Sequence, residues 1–373
     1  MYRAASESIA VQGSQAAKLA GLHYASDASA GVHRKQRGRG FVFVDERGRQ
    51  VRDRATLDRI RRLVIPPAWT DVWVAPRADD HLQATGRDAR GRKQYKYHER
   101  WRESRDAAKY SNLFLFVKSL PKIRRRVNRD LRKSGLPREK VLAAVVKLLE
   151  VSLIRVGNDE YARQNRSFGL TTMENRHAKV RGKNMQFRFR GKSGIDHAID
   201  LESPALAKVV KRCQDLPGQE LFQYIDQDDR VCDVGSADVN EYLREISGRE
   251  ISAKDFRTWA GTALAAQALQ EFEEFDTDVL AKRNVTRAIE RVASRLGNTV
   301  AVCRKCYVHP AVIDAYMDRS LIKTLQRRAE SELTKGLKSL TAEEAAILAL
   351  LQERMKRELK VGPRSGRRIA KHR

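Results

Sequence analysis

Cysteine is scarce in this chain of 373 residues, which contains four. Four widely scattered cysteines do not make the disulfide framework of a small secreted protein, so we expect a reducing compartment. One pair has the CxxC spacing of half a zinc site, but no second pair with suitable spacing completes the four ligands. The sequence therefore predicts no metal centre. The cysteines are Cys213, Cys232, Cys303 and Cys306.

Long apolar segments are also missing. No run of about 18 apolar residues occurs, so the sequence predicts no membrane span. The segment Met1–Gly13 is polar and mixed, without the apolar stretch of a secretory signal. We therefore expect a cytoplasmic protein.

Acidic residues are few relative to basic ones. The chain has 47 Asp and Glu against 74 Lys and Arg, a formal net charge of +27 that is spread along its whole length. Such an excess concentrates a polyanion around a protein and makes the affinity strongly dependent on salt. Nucleic acid is therefore the expected partner, ahead of an anionic membrane surface. A ribosomal-type or merely soluble basic protein would have a similar composition.

Length and composition allow two domains, because 373 residues with 41% hydrophobic side chains can form more than one core. Residues 1–35 are rich in Ala, Ser and Gly, which predicts a disordered arm. Residues 36–115 predict a small α+β domain. In it, Phe41–Val44 and Asp71–Ala75 have the pattern of strands, and Thr56–Leu63 has that of a short helix ended by two prolines. Further strands are expected between His81 and Tyr97.

Residues 116–335 predict a mainly helical domain with a small sheet. The segment Lys140–Val156 has apolar residues on nearly every face, the pattern of a buried helix. Met185–Phe189 and Ile195–Leu201 alternate as two strands joined by a glycine-flanked turn. Residues 336–373 predict a last helix, beginning with a capping box, and a basic tail. Other helices are predicted over 204–214, 237–247, 252–274, 277–297, 309–334 and, in the last region, 341–360.

Three basic residues are candidates for contact with an anion. Arg155 ends a mostly apolar helix, where a guanidinium is costly unless it reaches an anion; a salt bridge with Glu150 or Asp159 is the alternative. Lys192 lies at the predicted hairpin tip, where a lysine can reach into a cleft or simply be solvated. Arg257 lies three residues after Lys254, so the two share a helix face.

These cations have a possible chemical task. Arg257 and Lys254 beside aromatic residues suit a phosphate clamp, although an ion pair of Arg257 with Asp255 is equally compatible with the sequence. Cleavage of a phosphodiester expels an alkoxide, and Lys192 could give that oxygen its proton.

Tyr307 follows Arg304 and Lys305 in a second basic cluster, nine residues after Asn298. A phenol attacks phosphorus readily only where positive charge favours its anion, and an amide can donate a neutral hydrogen bond to a phosphate oxygen. Most tyrosines merely pack in a core. The combination indicates a nucleophile aimed at a phosphodiester, but each residue alone is weak support.

Several segments, in order, resemble the type IB DNA topoisomerases of the compact poxvirus-like kind found in bacteria. The resemblance covers about residues 40 to 320. Ile65–Trp73 and Gln83–His98 are similar to the N-terminal domain of that family. The segments similar to its catalytic domain are Leu153–Gly157, Gly169–Thr172, Arg190–Lys192, Lys254–Thr258 and Gly297–Pro310.

The resemblance implies an α+β fold, with a small antiparallel-sheet domain before a mainly α-helical catalytic domain, and a catalytic set of Arg155, Lys192, Arg257, Asn298 and Tyr307. It implies that Tyr307 forms a 3′-phosphotyrosyl link, that Lys192 protonates the leaving 5′-oxygen with help from Arg155, and that the other residues hold the non-bridging oxygens. Strand rotation and religation would relax supercoils of either sign without ATP, metal or another cofactor. Many relatives carry histidine at the position of Asn298.

The family's DNA contacts are expected on the small domain and beside the catalytic set. The resemblance implies a monomer clamped around double-stranded DNA, associated with the nucleoid. Aromatic, amide and cationic side chains together suit groove and backbone contact, although the strand tyrosines could instead pack on the small core. The expected contacts are Arg92, Gln94, Tyr95, Tyr97, Tyr161 and Lys254. Of these, Tyr161 is expected in a turn after Gly157.

Two other functions remain open on the sequence. A tyrosine recombinase uses the same phosphotyrosyl chemistry, but it usually has histidine three residues before the second arginine, where this chain has Lys254. A non-catalytic DNA-binding protein could keep the fold, but it would gain nothing from Tyr307. Formation of a covalent protein–DNA adduct distinguishes the enzyme from the binder.

Overall fold

The computed structural model describes residues 13–272, 275–326 and 340–361, which belong to two compact units. The division between the units falls between Tyr110 and Ser111, inside a long helix, five residues before the boundary expected from the sequence. Each unit has its own hydrophobic core.

The first unit is built on a five-stranded antiparallel sheet in the order β2-β1-β3-β4-β5. Helix α1, Arg54–Arg62, begins where the carboxylate of Asp53 accepts a hydrogen bond from the amide of Thr56. Its buried Ile60 packs with Val72 and other apolar residues of the sheet. The strands are β1 Val32–Arg37, β2 Gly40–Val44, β3 Thr70–Val74, β4 Leu82–Arg87 and β5 Lys93–Tyr97.

The first unit includes much of the segment predicted as a disordered arm. Residues 13–19 are helical and strand β1 begins at Val32, so the prediction is wrong for residues 13–35; residues 1–12 lie outside the described part. Polar contacts hold this segment: Asp27 accepts from Thr85 at 3.0 Å and pairs with Lys93. A composition poor in large apolar residues gave no sign of such anchors.

The second unit is mainly helical and contains a three-stranded antiparallel sheet in the order β6-β7-β8 and a two-stranded one of β9 and β10. The strands are β6 Ala178–Arg181, β7 Asn184–Arg190, β8 Asp196–Glu202, β9 Gln223–Ile225 and β10 Val231–Asp233. The helices are α2 Glu99–Asp130, which begins in the first unit, α3 Arg138–Ser152, α4 Asp159–Asn165, α5 Pro204–Gln214, α6 Ser236–Ser247, α7 Ala253–Gln270, α8 Asp278–Leu296, α9 Val300–Cys306, α10 Pro310–Met317 and α11 Ala342–Val361.

Helix α3 forms the centre of the second core. Ten of its 15 residues are buried, as the apolar pattern on all its faces predicts. It ends four residues earlier than expected, because Leu153 adopts the left-handed conformation with a φ of 59°. Arg155 therefore lies on the segment after the helix and not on the helix itself, which corrects the expectation from the sequence.

Other helices also differ in extent from the sequence prediction. The helix expected over 252–274 ends at Gln270, and the helix expected over 309–334 is interrupted after Met317. A further helical segment covers residues 321–326, and residues 327–339 lie outside the described part. Among the described residues, no helix combines the length and apolar character that crossing a membrane requires.

Candidate active site

Arg257 is the most deeply buried cation of the site, with 4% of its surface exposed. Helix α7 begins with a capping box in which the carboxylate of Asp255 accepts from the amide of Ser252 at 2.8 Å. Asp255 is thus engaged as a cap, and no ion pair joins it to Arg257 in the described part of the chain. The alternative interpretation of Arg257 as half of a local ion pair is wrong.

The guanidinium of Arg257 is held by the ends of two other helices. It donates to the carbonyl of Leu153, just after α3, and at 2.7 Å to the carbonyl of Leu296, the last residue of α8. These helix ends carry partial negative charge, which favours a cation there. Burial, and then the nearby charge of Arg155, lowers the pKa of Arg257. A buried guanidinium without a carboxylate is a site prepared for an anion.

Arg155 and Asn298 form the second part of the site. A guanidinium nitrogen of Arg155 donates to the side-chain oxygen of Asn298, which orients that amide. Glu150, an alternative partner for Arg155, is instead paired with Arg124 and Lys147. Arg155 therefore directs its charge towards the site.

Two buried donors at the site make no regular hydrogen bond with the described residues. They are Nδ2 of Asn298 and Nε of Arg257. The Asn298 amide lies beside the thiol of Cys303, which is only a weak acceptor. Burial raises the pKa of that thiol, so it stays uncharged. Unmet buried donors are costly in a resting protein, which indicates that an acceptor binds here during function.

Tyr307 follows the short helix α9, and its amide donates to the carbonyl of Cys303 at 2.9 Å. Its ring centre lies 5.3 Å from the guanidinium carbon of Arg257, which places the phenol beside a buried positive charge. Helix α7 holds the backbone of Tyr307 in place through the side chain of Thr262. The hydroxyl of Thr262 lies 3.2 Å from the carbonyl oxygen of Tyr307 and accepts from the amide of His309 at 3.1 Å.

Close packing also fixes the backbone of Tyr307. A Cβ built on Gly261 would lie 2.7 Å from the carbonyl oxygen of Tyr307 and 2.9 Å from its Cβ. Only glycine at position 261 therefore lets helix α7 approach the backbone of Tyr307 so closely. Neither Gly261 nor Thr262 was found from the sequence, because their partner lies more than 40 residues away.

Lys192 lies, as predicted, in the turn that joins β7 and β8. Its side chain is exposed, and the ammonium lies 5.7 Å from the ring centre of Tyr161. Tyr161 was expected in a turn after Gly157, but it lies in the first turn of helix α4. The helix begins there because the side chain of Asn158 accepts a hydrogen bond from the Tyr161 amide. The structure thus brings together two residues expected at the phosphate.

His197 is a neighbour of the site that sequence reasoning missed. It lies on β8 opposite Phe189, and the two rings stack with centres 5.0 Å apart. Burial lowers its pKa, and the charges of Arg155 and Arg257 lower it further. The available signal was a histidine five residues after Lys192, on the returning strand.

The predicted catalytic residues fall into one linked group. Arg155 contacts Asn298, Arg257 contacts Tyr307, and the charge of Arg155 acts on Arg257. The backbone next to Lys192 meets the imidazole of His197. In this arrangement a phenol can attack the four-coordinate phosphorus of a phosphodiester, while two guanidiniums and an amide donor stabilise the dianionic five-coordinate transition state. In the described residues, no group of three potential metal ligands is found.

The expected DNA contacts of the first unit lie on or next to β5. The rings of Tyr95 and Tyr97 stack 6.0 Å apart, and 48% and 38% of their surfaces are exposed, so both are open to a ligand. Arg92 and Gln94 both bind the carboxylate of Asp88, which orients them and offsets part of the charge. Lys254, in the second unit, is exposed.

Comparison with known proteins agrees with this chemistry. Residues 98–335 match the family of the eukaryotic DNA topoisomerase I catalytic core, and residues 40–88 match the bacterial DNA topoisomerase IB N-terminal domain. The chain is 31% identical over 295 residues to DNA topoisomerase 1B of Acanthamoeba polyphaga mimivirus, covering 77% of this chain and 88% of the relative. DNA topoisomerase 1B of Vaccinia virus (strain Copenhagen) is 22% identical over 287 residues, with 75% and 88% covered. The chain belongs to the type IB DNA topoisomerases.

Proposed function

We propose that this topoisomerase cleaves one strand of duplex DNA through Tyr307 and rejoins it after rotation of the cut strand. The phenol gives up its proton to solvent water and its oxygen bonds to phosphorus, while the bond from phosphorus to the 5′-oxygen breaks. The product is a 3′-phosphotyrosyl link and a free 5′-hydroxyl. Religation is the reverse, and because the covalent link keeps the bond energy, supercoils of either sign relax without ATP or a metal.

The observation that carries this proposal is the pair of unmet donors beside the phenol. Nδ2 of Asn298 and Nε of Arg257 are buried and make no regular hydrogen bond with the described residues. Non-bridging oxygens of a phosphate would meet these donors as charge develops on them. Arg155 adds a further cation and orients the Asn298 amide.

Lys192 acts as the general acid. The expelled 5′-oxygen needs a proton as it leaves, and an ammonium on an exposed turn can reach the outer side of the phosphate. Tyr161, beside the ammonium, would orient it and contact the phosphate. Arg155 assists the transfer.

DNA binding combines contacts from both units of a monomer. The exposed rings of Tyr95 and Tyr97 offer surfaces for sugar or base contact, and Arg92, Gln94 and Lys254 supply polar and cationic groups. The net charge of +27 supports a duplex as the partner and an association with the nucleoid. We infer that the two units close around the duplex as a clamp.

The test is relaxation of negatively supercoiled plasmid in EDTA without ATP, with the native chain and Tyr307→Phe. The native protein should relax the plasmid and leave a covalent adduct on denaturing gels. Tyr307→Phe should bind DNA equally well and do neither, since it lacks only the phenolic oxygen. If neither protein relaxes the plasmid and both shift it in low salt, the chain is a DNA binder. Relaxation by both would mean that Tyr307 is not the nucleophile.

A further inference from the structure

The imidazole of His197 lies between two glycines that immediately precede proposed catalytic residues. A Cβ built on Gly191 would lie 2.6 Å from Cδ2 of the ring, and a Cβ on Gly297 would lie 2.5 Å from Cε1. No side chain fits between the ring and either backbone. Gly297 also has a φ of 59° at the end of α8, which glycine adopts without strain. The residues that follow are Lys192 and Asn298.

The imidazole of His197 is also held by the hairpin of β7 and β8, to which it belongs. His197 and Phe189 are cross-strand neighbours on β8 and β7, and their rings are nearly parallel, at 15°. Because burial and the charges of Arg155 and Arg257 lower its pKa, the imidazole stays neutral and adds no repulsion next to the cations. Asp196 acts in the opposite direction, but more weakly.

Among the described residues, the backbone hydrogen bonds of the Lys192 turn do not connect it to the rest of the site. Its backbone hydrogen bonds, from Gly191 to the carbonyl of Ile195 and from Gly194 to that of Gly191, are internal to the hairpin. The amide of Phe168 donates to the carbonyl of Arg190 at 2.8 Å, which anchors the strand before the turn and not the turn itself. A long, exposed lysine side chain is only as well placed as the backbone that carries it.

We propose that His197 is a positioning residue that fixes the Lys192 turn against the backbone of the Asn298 segment. The inference rests on the proposed function, in which Lys192 protonates the leaving oxygen. Through its two glycine contacts, the ring sets the distance between the general acid and the group that holds the phosphate. Displacement of a catalytic group by about 1 Å can cost about 100-fold in rate.

The experiment compares two leaving groups at one cleavage site, mapped beforehand by sequencing gels of the covalent adduct. One duplex has the natural 5′-oxygen and the other has sulfur in that bridging position. A thiol has a pKa of about 8.5, so a thiolate leaves without help from a general acid, whereas an alkoxide does not. The His197→Ala protein should cleave the oxygen duplex about 100-fold more slowly than the native protein in a single turnover. It should cleave the sulfur duplex at close to the native rate. DNA affinity should be unchanged.

One reference variant, Lys192→Ala, separates the outcomes. Lys192→Ala should lose rate with oxygen and regain it with sulfur. If Lys192→Ala is rescued by sulfur and His197→Ala is not, or if His197→Ala is not slowed at all, the positioning role of His197 is overturned. If sulfur fails to rescue Lys192→Ala, the general-acid role of Lys192 is wrong, and the proposal for His197 falls with it.

Two further variants guard against a merely structural effect. His197→Gln keeps a planar group of similar size against Phe189 without added bulk between the two glycines, so it should retain most of the rate with oxygen even where His197→Ala folds poorly. A rate as low as that of His197→Ala would overturn the proposal. His177 is a half-buried histidine of the same unit whose ring packs on Phe168. His177→Ala should lower thermal stability without a difference between the two leaving groups, and a selective loss with oxygen there would also contradict our inference.

Discussion

At the scale of single residues, the proposed chemistry depends on buried donors that suit the oxygens of a phosphate. Asn298 shows how this is arranged, because Arg155 occupies its oxygen and leaves its Nδ2 without a regular hydrogen bond among the described residues. An amide supplies that donor without adding a third positive charge to a site that already holds two guanidiniums. The residue type was predicted as a phosphate ligand, but the bond that orients it was not, because its partner is 143 residues away.

This orientation predicts an order of activities among substitutions of Asn298. Asn298→Ala removes one donor and should slow single-turnover adduct formation about 100- to 1,000-fold. Asn298→Asp keeps the shape and the bond to Arg155 but puts a carboxylate where phosphate oxygens bind, so it should be slower still. Asn298→His restores a donor and should be the fastest of the three. Rates are measured at saturating protein on a duplex with one cleavage site.

The contradicting result is equally clear. If Asn298→Asp cleaves as fast as Asn298→Ala, the amide does not face the phosphate. Tyr307→Phe, which forms no adduct under the proposed mechanism, gives the background of the assay. DNA affinity measured for each variant separates loss of binding from loss of chemistry.

At the scale of secondary structure, the sequence predicted which segments are helices better than it predicted where they end. Helix α5 was predicted with its observed bounds, Pro204–Gln214, and the structure shows a clear local start, with Ser203 as the cap and a proline as the first helical residue. Helix α3 ends early at Leu153, whose left-handed backbone turns the chain and whose carbonyl binds Arg257. That contact joins residues 104 apart, and no local pattern contains it.

Helix α11, which begins after residue 335, the last residue matched to the catalytic-core family, braces the helices that carry the site. Glu344 accepts two hydrogen bonds from Arg124, at 2.8 and 2.9 Å, and one from the indole of Trp259 at 3.2 Å. Trp259 is two residues after Arg257 on α7, and Arg124 also binds Glu150 on α3. The carboxylate of Glu344 on α11 therefore connects three helices, because its partners lie on α2 and α7.

We predict that Glu344→Gln destabilises the protein by about 2 kcal/mol near neutral pH, because it weakens the charged hydrogen bonds that the half-buried Arg124 makes with Glu344. Burial alone would raise the pKa of Glu344, but the hydrogen bonds from Arg124 lower it below the usual 4.5. The stabilisation is therefore present above about pH 4.5 and is lost as pH falls through the lower pKa of the folded state. Denaturant unfolding of both proteins from pH 8 to pH 3 tests this, and the gap between their curves should close in acid.

Glu343→Gln is the matched control for this prediction. Glu343 is the preceding residue of the same helix, exposed, and hydrogen-bonded only to Gln267 at 3.2 Å among the contacts described. An exposed interaction of this kind contributes little, so this variant should unfold like the native chain at all pH values. Equal destabilisation by both substitutions would show that the Arg124 pairing is not what Glu344 supplies.

At the scale of the whole molecule, the sequence predicted the two-part organisation and the partner from charge and motif order. The net charge of +27 is distributed over the chain, and many individual basic side chains are paired locally, as Arg92 is with Asp88. Charge alone therefore does not say which cations meet DNA. Their contribution has to be separated from that of uncharged contacts such as Tyr95.

Salt dependence makes that separation, because each phosphate neutralised by a cation adds about −0.9 to the slope of log affinity against log salt. Lys254 is exposed and lies three residues before Arg257 on helix α7, where it is expected to contact a phosphate. Lys254→Ala should therefore make the slope less steep by about 1. Tyr95→Ala removes an exposed ring and no charge, so it should weaken binding at every salt concentration and leave the slope unchanged. Affinities are measured in the Tyr307→Phe background, which prevents covalent capture. A slope unchanged in Lys254→Ala would mean that this lysine contacts no phosphate, and a slope altered by Tyr95→Ala would mean that the ring orders a neighbouring cation rather than contacting DNA itself.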